Sequence, residues 1–403
     1  MSAPAVAARR RRFRLRLLLG FLALLLIAYT RQMLASPTVG QDFRAYYAGA
    51  SVLRAGGNPY DWSQLGPTEE ALYNTPHHLQ GGDPRFYDFL PLPEGPWLLA
   101  ALVPLTTLPW PAADAVFTVF LLLITVGSAW LILRHLGWRG RPLSLGLFAV
   151  TLSPVVFISL FLGQATPLVF AAFAGALVLA NRQPWPAGLL LAVVWIKPNL
   201  GLVLPLVILL QTGAWRRLLV AFGVGTLAMF AIAGSLLGPG LAQWPRGILQ
   251  LWRSVQGPQP DVASLHSFYY PLLGGWMKTA ALVLVCLALG AYGLWAVRRL
   301  PARPMVGMTL LVIWLCAVPF VHSFDAILLL PVVAILVEPT LGGLDDPWVE
   351  LAIWAFALCP LLYFTGLHLG PLNGFGAIPV ALTAWAWHRR IVAPAPPAME
   401  AAA

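Results

Sequence analysis

Apolar runs follow one another along almost the whole chain, separated by short polar intervals, and within each run the hydrophobic residues are consecutive. Leu17 to Tyr29, for example, contains no charged side chain. Backbone groups in hydrocarbon must bond to one another, which leaves helices and closed barrels, and a barrel strand would alternate apolar with polar residues. The pattern therefore predicts an all-α polytopic membrane protein. Its apolar segments are the first run, continuing to about Ala35, then Trp110–Leu133, Leu143–Leu162, Thr166–Ala180, Pro186–Ile196, Leu200–Leu210, Leu218–Leu237, Ala280–Val297, Met305–Val321, Ala326–Val337, Val349–Leu367 and Leu372–Trp387. That makes about 12 transmembrane helices. Leu92–Leu108, rich in Pro and interrupted by Glu94, is expected to dip into or lie along the membrane, with eleven and thirteen crossings as the neighbouring solutions.

The long polar interval 36–91 contains one periodic stretch. From Asp42 to Leu53, the residues Phe43, Tyr46, Tyr47, Ala50 and Leu53 recur at helical spacing until Gly56, Gly57 and Pro59 end the pattern. An amphipathic helix at the membrane surface is expected there. A second polar loop covers 239–271, residues 17–390 are read as one transmembrane domain, and the Ala- and Pro-rich tail 391–403 as disordered.

Composition agrees and excludes alternatives. Of 403 residues, 59% are hydrophobic and 10% charged, against ~25% charged in ordinary globular proteins, and the mean hydropathy is +0.77. A water-soluble enzyme is ruled out. The net charge of +10 does not indicate a nucleic-acid partner, because Arg9, Arg10, Arg11, Arg12, Arg14 and Arg16 stand in the basic segment 1–16 before the first apolar run. Such clusters mark the cytoplasmic side of a membrane. Arg134, Arg139, Arg141, Arg182, Arg216, Arg217, Arg298, Arg299 and Arg303 fall in loops on that same side, and so do His388, Arg389 and Arg390. Asp345 and Asp346 run against the pattern, but acidic residues weigh little in orientation. The expectation is a multi-pass cell-membrane protein with both termini cytoplasmic. Cys286, Cys316 and Cys359 show no paired spacing and read as small core residues.

In this register several polar features converge outside: Asp42, Gly163-Gln164, Lys197-Pro198, His322 with Asp325, and His266 in the second outer loop. An ionisable group at membrane depth costs ~2.5 to 3.5 kcal/mol and needs a partner, a cavity or a substrate. Each also has a plainer reading. Asp42 suits an N-cap, Lys197 could snorkel, Gln164 could bond another helix, His322 and Asp325 could bond each other at a helix start, and His266 could be solvated. Asp61 could simply begin a turn, while Asp61, Asp83 and Asp88 compete with Asp42 as acidic candidates.

Gln41-Asp42-Phe43-Arg44-Ala45-Tyr46-Tyr47-Ala48, continuing through Leu53, Gly56, Asn58, Pro59, Tyr60 and Asp61, resembles the first-loop motif of polyprenol-phosphate-mannose-dependent mannosyltransferases of glycosyltransferase family 87. Pro91, Leu92, Pro104, Leu105, Leu108 and Pro109, then Gly163-Gln164, Ala187-Gly188, Lys197-Pro198, His322 and Pro331, continue it in order, over about residues 13–340. Phe89-Leu90-Pro91-Leu92 departs from the family's Tyr-Pro-Pro-Leu pattern. The resemblance implies a glycosyltransferase C-type fold, a polyprenyl-phosphate sugar donor, a glycolipid or glycan acceptor on the outer face, and inversion at the anomeric carbon. It further implies Asp42 as catalytic base. Lys197, His322, His266 and Arg44 are candidates for the donor phosphate, and Tyr46, Tyr47, Gln164 and Asp325 for the substrate pocket. No metal and no cofactor are expected. The competing reading is a transporter or flippase of a lipid-linked or small solute, which would need ionisable groups near the midplane in both halves of the chain.

Overall fold

The computed structural model describes residues 9, 13–14, 16–25, 27–28, 31, 40–73, 92, 94–246, 248, 264–265, 273–300, 302–318, 321–337, 346–364 and 377–392. Among them the secondary structure is helical, with no strand. The chain falls into two compact units, Leu17–Pro258, and Met1–Arg16 with Gln259–Ala403.

In the first unit, the amphipathic stretch forms α1, Gln41–Arg54. A second helix, α2, follows at Trp62–Tyr73, where the sequence pattern gave no helix. Asp61 explains its start. Its carboxylate accepts from the Ser63 backbone N–H at 3.0 Å, the Ser63 hydroxyl at 2.7 Å and the Gln64 amide at 3.2 Å, so it serves the helix end left without backbone partners. These donors hold the exposed carboxyl below its ordinary pKa.

Leu92–Leu108 resolves into α3, Pro96–Leu102, and a 3-10 stretch, Val103–Thr107. The long helix α4, Trp110–His135, comes next. The run read as Leu143–Leu162 is two helices, α5 (Gly140–Thr151) and α6 (Pro154–Leu162), bent by 45°. Pro154 has no N–H to continue a helix, and the Ser153 hydroxyl caps the new one by accepting from Val156 N–H at 3.3 Å. α7 spans Thr166–Leu179, α8 Pro184–Ala192, α9 Val203–Leu209 and α10 Trp215–Leu237. α8 lies tight on α10 because Gly188 has no side chain: a Cβ there would stand 2.4 Å from the Leu218 carbonyl oxygen and 2.6 Å from Ala221 Cβ.

The second unit contains α11 (Trp276–Arg299), α12 (Arg303–Ala317), a 3-10 stretch Ser323–Leu329 leading into α13 (Leu330–Val337), α14 (Pro347–Phe364) and α15 (Ile378–Val392). Arg14 pairs with Glu350 at 2.8 Å, and Arg389 with Asp346 at 3.3 Å, which gives those two acidic residues cationic partners.

Three described helices are long and apolar enough to cross a bilayer: α4, α10 with its extension to Arg246, and α11. The bent pair α5–α6 makes a fourth if it counts as one span. At 1.5 Å per residue, α4 is about 39 Å long, more than the ~30 Å of hydrocarbon. Exposed Leu123, Leu227, Leu284 and Leu287 on these helices are surfaces suited to lipid.

Candidate active site

α1 is where the site begins. Gly40 caps it in the left-handed conformation (φ 67°), and its N–H donates to the Phe161 carbonyl at 2.8 Å. Asp42 is therefore not the N-cap but a first-turn residue, where the helix dipole favours a negative charge. Phe43 and Tyr47, one turn apart, turn toward α4. Phe43 stacks on Phe117 with 4.2 Å between ring centroids, and the Tyr47 hydroxyl donates to the Leu108 carbonyl at 2.7 Å. Arg44 goes to that side also, 5.4 Å over the Trp110 ring and within electrostatic reach of Asp114.

Asp42 and Tyr46, again one turn apart, share the neighbouring face. Asp42 Oδ2 accepts a hydrogen bond from Gln164 Nε2, across 122 positions of sequence. The α6–α7 junction makes this possible. Gly163 ends α6 in the left-handed conformation (φ 69°), and a Cβ there would lie 2.5 Å from Phe43 Cβ. Only glycine allows both the turn and so close an approach of α1, and the residue that follows it is Gln164.

Tyr46 ties this junction to Glu94. Its phenolic oxygen accepts from the Ala165 backbone N–H and donates to Glu94 Oε1 at 2.9 Å. Tyr60 bonds the backbone carbonyl of Glu94 at 2.8 Å. Gly95 N–H donates to the Ile196 carbonyl at 3.3 Å, bringing the Glu94 segment beside Lys197.

Lys197 stands at a helix break. The 3-10 stretch Val193–Ile196 ends there, and Pro198 forces the preceding residue into an extended conformation, φ −119° and ψ 95°. The side chain turns inward instead of snorkelling. It is buried, and Nζ donates to Thr166 Oγ1 at 2.9 Å. Lys197 and Asp42 both act electrostatically on Glu94.

Glu94 lies between helices, outside the candidate spans. Burial lifts its pKa from 4.5 to about 7, the nearby Lys197 ammonium and the Tyr46 hydroxyl pull it down, and the charge on Asp42 pushes it up. Its carboxyl thus exchanges its proton near neutrality. The Tyr46 phenol is pushed well above its ordinary value by burial and by the charges of Glu94 and Asp42, which keeps it a neutral donor.

The structure thus gathers Asp42, Tyr46, Gln164 and Lys197, and adds Glu94, Thr166 and Tyr60, which sequence reasoning had not selected. Glu94 carried one signal, an ionisable residue inside an apolar Pro-rich stretch. Arg44 and Tyr47 belong instead to the α4 side. In the second unit, the His322 backbone N–H donates to Asp325 Oδ2 at 3.0 Å and the His322 side chain accepts from the Asp325 backbone, a reciprocal cap at the start of Ser323–Leu329. The imidazole stacks on Phe324, 5.0 Å between centroids. His266, Asp83 and Asp88 lie outside the described residues.

A held carboxylate, a second carboxyl that titrates near neutrality and a buried ammonium can together move a proton and steady an anion. Comparison with curated proteins found no match, and comparison with solved structures found none. A family model described as glycosyltransferase family 87 matches residues 95–321, more than half of the chain. The match takes in Gln164, Thr166 and Lys197, while Asp42 and Glu94 precede it and His322 follows it. The chain therefore belongs to glycosyltransferase family 87 and is a membrane glycosyltransferase.

Proposed function

We propose that the protein is an inverting hexosyltransferase. It moves one hexose, mannose by resemblance to its family, from a polyprenyl-phosphate donor to a glycolipid or glycan acceptor at the outer face of the cell membrane. The proposal includes a glycosyltransferase C-type fold of about 12 transmembrane helices and cytoplasmic termini. The observation that carries it is the grouping of the Asp42 carboxylate, held by Gln164, with Lys197 and Glu94 at the junction of α1, the α6–α7 turn and the Lys197 break.

Asp42 takes the proton from the acceptor hydroxyl as that oxygen attacks C1. The bond from C1 to the phosphate oxygen breaks on the opposite side, and its electron pair leaves with the polyprenyl phosphate. A phosphate leaves without needing a proton, so the catalytic requirement is positive charge where negative charge grows. Lys197 meets that need in a water-poor place, exchanging its bond to the Thr166 hydroxyl for a phosphate oxygen.

The test uses membranes containing the protein and polyprenyl-phosphate-[³H]mannose. Wild type should label a lipid or glycan acceptor, and Asp42→Asn, which keeps the side-chain shape but is not a base, should lose transfer by about 10²-fold or more. Undiminished transfer by Asp42→Asn would remove Asp42 as the base. Absence of transfer by wild type with mannose, glucose, galactose and arabinose donors alike would refute the donor assignment.

A further inference from the structure

Two buried acceptor atoms, one on the Gln164 that holds Asp42 and one on Glu94, have no donor among the described residues. Gln164 spends its Nε2 on the Asp42 carboxylate, so the remaining atom of the amide, Oε1, accepts only, and it is buried with no hydrogen-bond partner among the described residues. Glu94 spends Oε1 on the Tyr46 hydroxyl, and its Oε2 is likewise buried and without a partner among them. Glu94 is 5% exposed and Gln164 7%. Buried polar atoms are nearly always satisfied, and exceptions call for an explanation.

We infer that Glu94 and Gln164 form the hydroxyl-reading part of the hexose pocket, accepting hydrogen bonds from O–H groups of the sugar that is transferred. The inference rests on the donor reading above and adds the residues that recognise the sugar. With Glu94 ionised both orphan atoms are acceptors, so the ligand that matches this form must bring donors, and a hexose carries several hydroxyls. A phosphate brings no donors and would be repelled by two carboxylates. The cluster holds both kinds of group: acceptors gather at Asp42, Glu94 and Gln164, and the ammonium of Lys197 lies within electrostatic reach of Glu94. A sugar phosphate brings the matching groups, hydroxyl donors for the acceptors and an anion for the ammonium. The Ala165–Tyr46–Glu94 chain of hydrogen bonds fixes the two acceptors relative to each other.

The test measures equilibrium binding of polyprenyl-phosphate-mannose and of bare polyprenyl phosphate to the full chain in lipid nanodiscs. Glu94→Gln and Gln164→Leu should each weaken binding of the sugar-bearing lipid about tenfold and leave that of the bare lipid within about twofold. Lys197→Met should weaken both lipids. Wild-type affinity for the sugar-bearing lipid in both the Glu94 and Gln164 variants would overturn the inference, as would an equal loss for the two lipids. Wild type binding neither lipid would overturn the donor reading itself, and the inference with it.

Discussion

Gly163→Ala is the smallest change that separates the two parts of the site. The added Cβ would fall 2.5 Å from Phe43 Cβ and 3.3 Å from the Phe43 backbone nitrogen. Non-bonded carbons rest at ~3.5–4.0 Å, so the overlap is about 1 Å against atoms that cannot rotate away. Relieving it requires moving α1, at a cost of ~1–3 kcal/mol, and alanine at φ 69° costs a further ~1–2 kcal/mol. The sum, about 2 to 5 kcal/mol, should lower the melting temperature by roughly 4 to 20 °C in a unit of this size. The displacement falls between Asp42 and Gln164, each one residue from the clash, and a shift of ~1 Å in a catalytic group can cost ~10²-fold in rate. The assay is thermal denaturation in nanodiscs together with sugar transfer by the surviving folded fraction. Gly56→Ala is the control, since Gly56 has φ +78° but nothing within 4 Å of its Cβ position. It should pay only ~1–2 kcal/mol of backbone strain and keep full activity. A Gly163→Ala protein that melts and transfers like Gly56→Ala would refute the claim that this glycine sets the approach of α1.

Gly188→Ala should destabilise by ~1–3 kcal/mol through overpacking against Leu218 and Ala221, read as a lower melting temperature with the pH profile of activity unchanged. The Glu94 pKa of about 7 lies above the ordinary 4.5, so between those values the folded protein holds more protons than the unfolded chain. Stability should therefore fall as pH rises from about 4.5 to about 7, by about 3 kcal/mol in all, and melting of Glu94→Gln across pH 5 to 8 should lack that slope. Lys197→Met removes the cation that pulls the Glu94 carboxyl down, so the inflection should move to higher pH; an inflection that stays put or falls would contradict the pairing.

Much of the helical layout was readable because it depends on local pattern. Phe43, Tyr46, Tyr47, Ala50 and Leu53 repeat with helical spacing, and α1 covers them all. α2 escaped notice because Gly66 and Pro67 lie inside it and Glu69 and Glu70 make it polar. Leu143–Leu162 read as one run because hydropathy does not register a capping serine before a proline, although Ser153-Pro154 was the local cue to the bend. The site was partly readable. Lys197-Pro198 and Gly163-Gln164 stand out as polar interruptions in apolar sequence, but the partner of Gln164 lies 122 positions away, which periodicity cannot reveal. Glu94 was hidden for the same reason, since its significance comes from Tyr46, Tyr60 and Lys197 in remote segments. The plainer reading of Asp42 as an N-cap fails because Gly40 takes that position at the start of α1 in the left-handed conformation, which leaves Asp42 in the first turn.

The most direct test of the account is a cryo-EM structure of the full chain in nanodiscs with polyprenyl-phosphate-mannose bound. The account expects the anomeric carbon beside the Asp42 carboxylate, the phosphate on Lys197, and sugar hydroxyls on Glu94 and Gln164. A donor whose phosphate lies away from Lys197, or whose sugar is out of reach of Asp42, would contradict it.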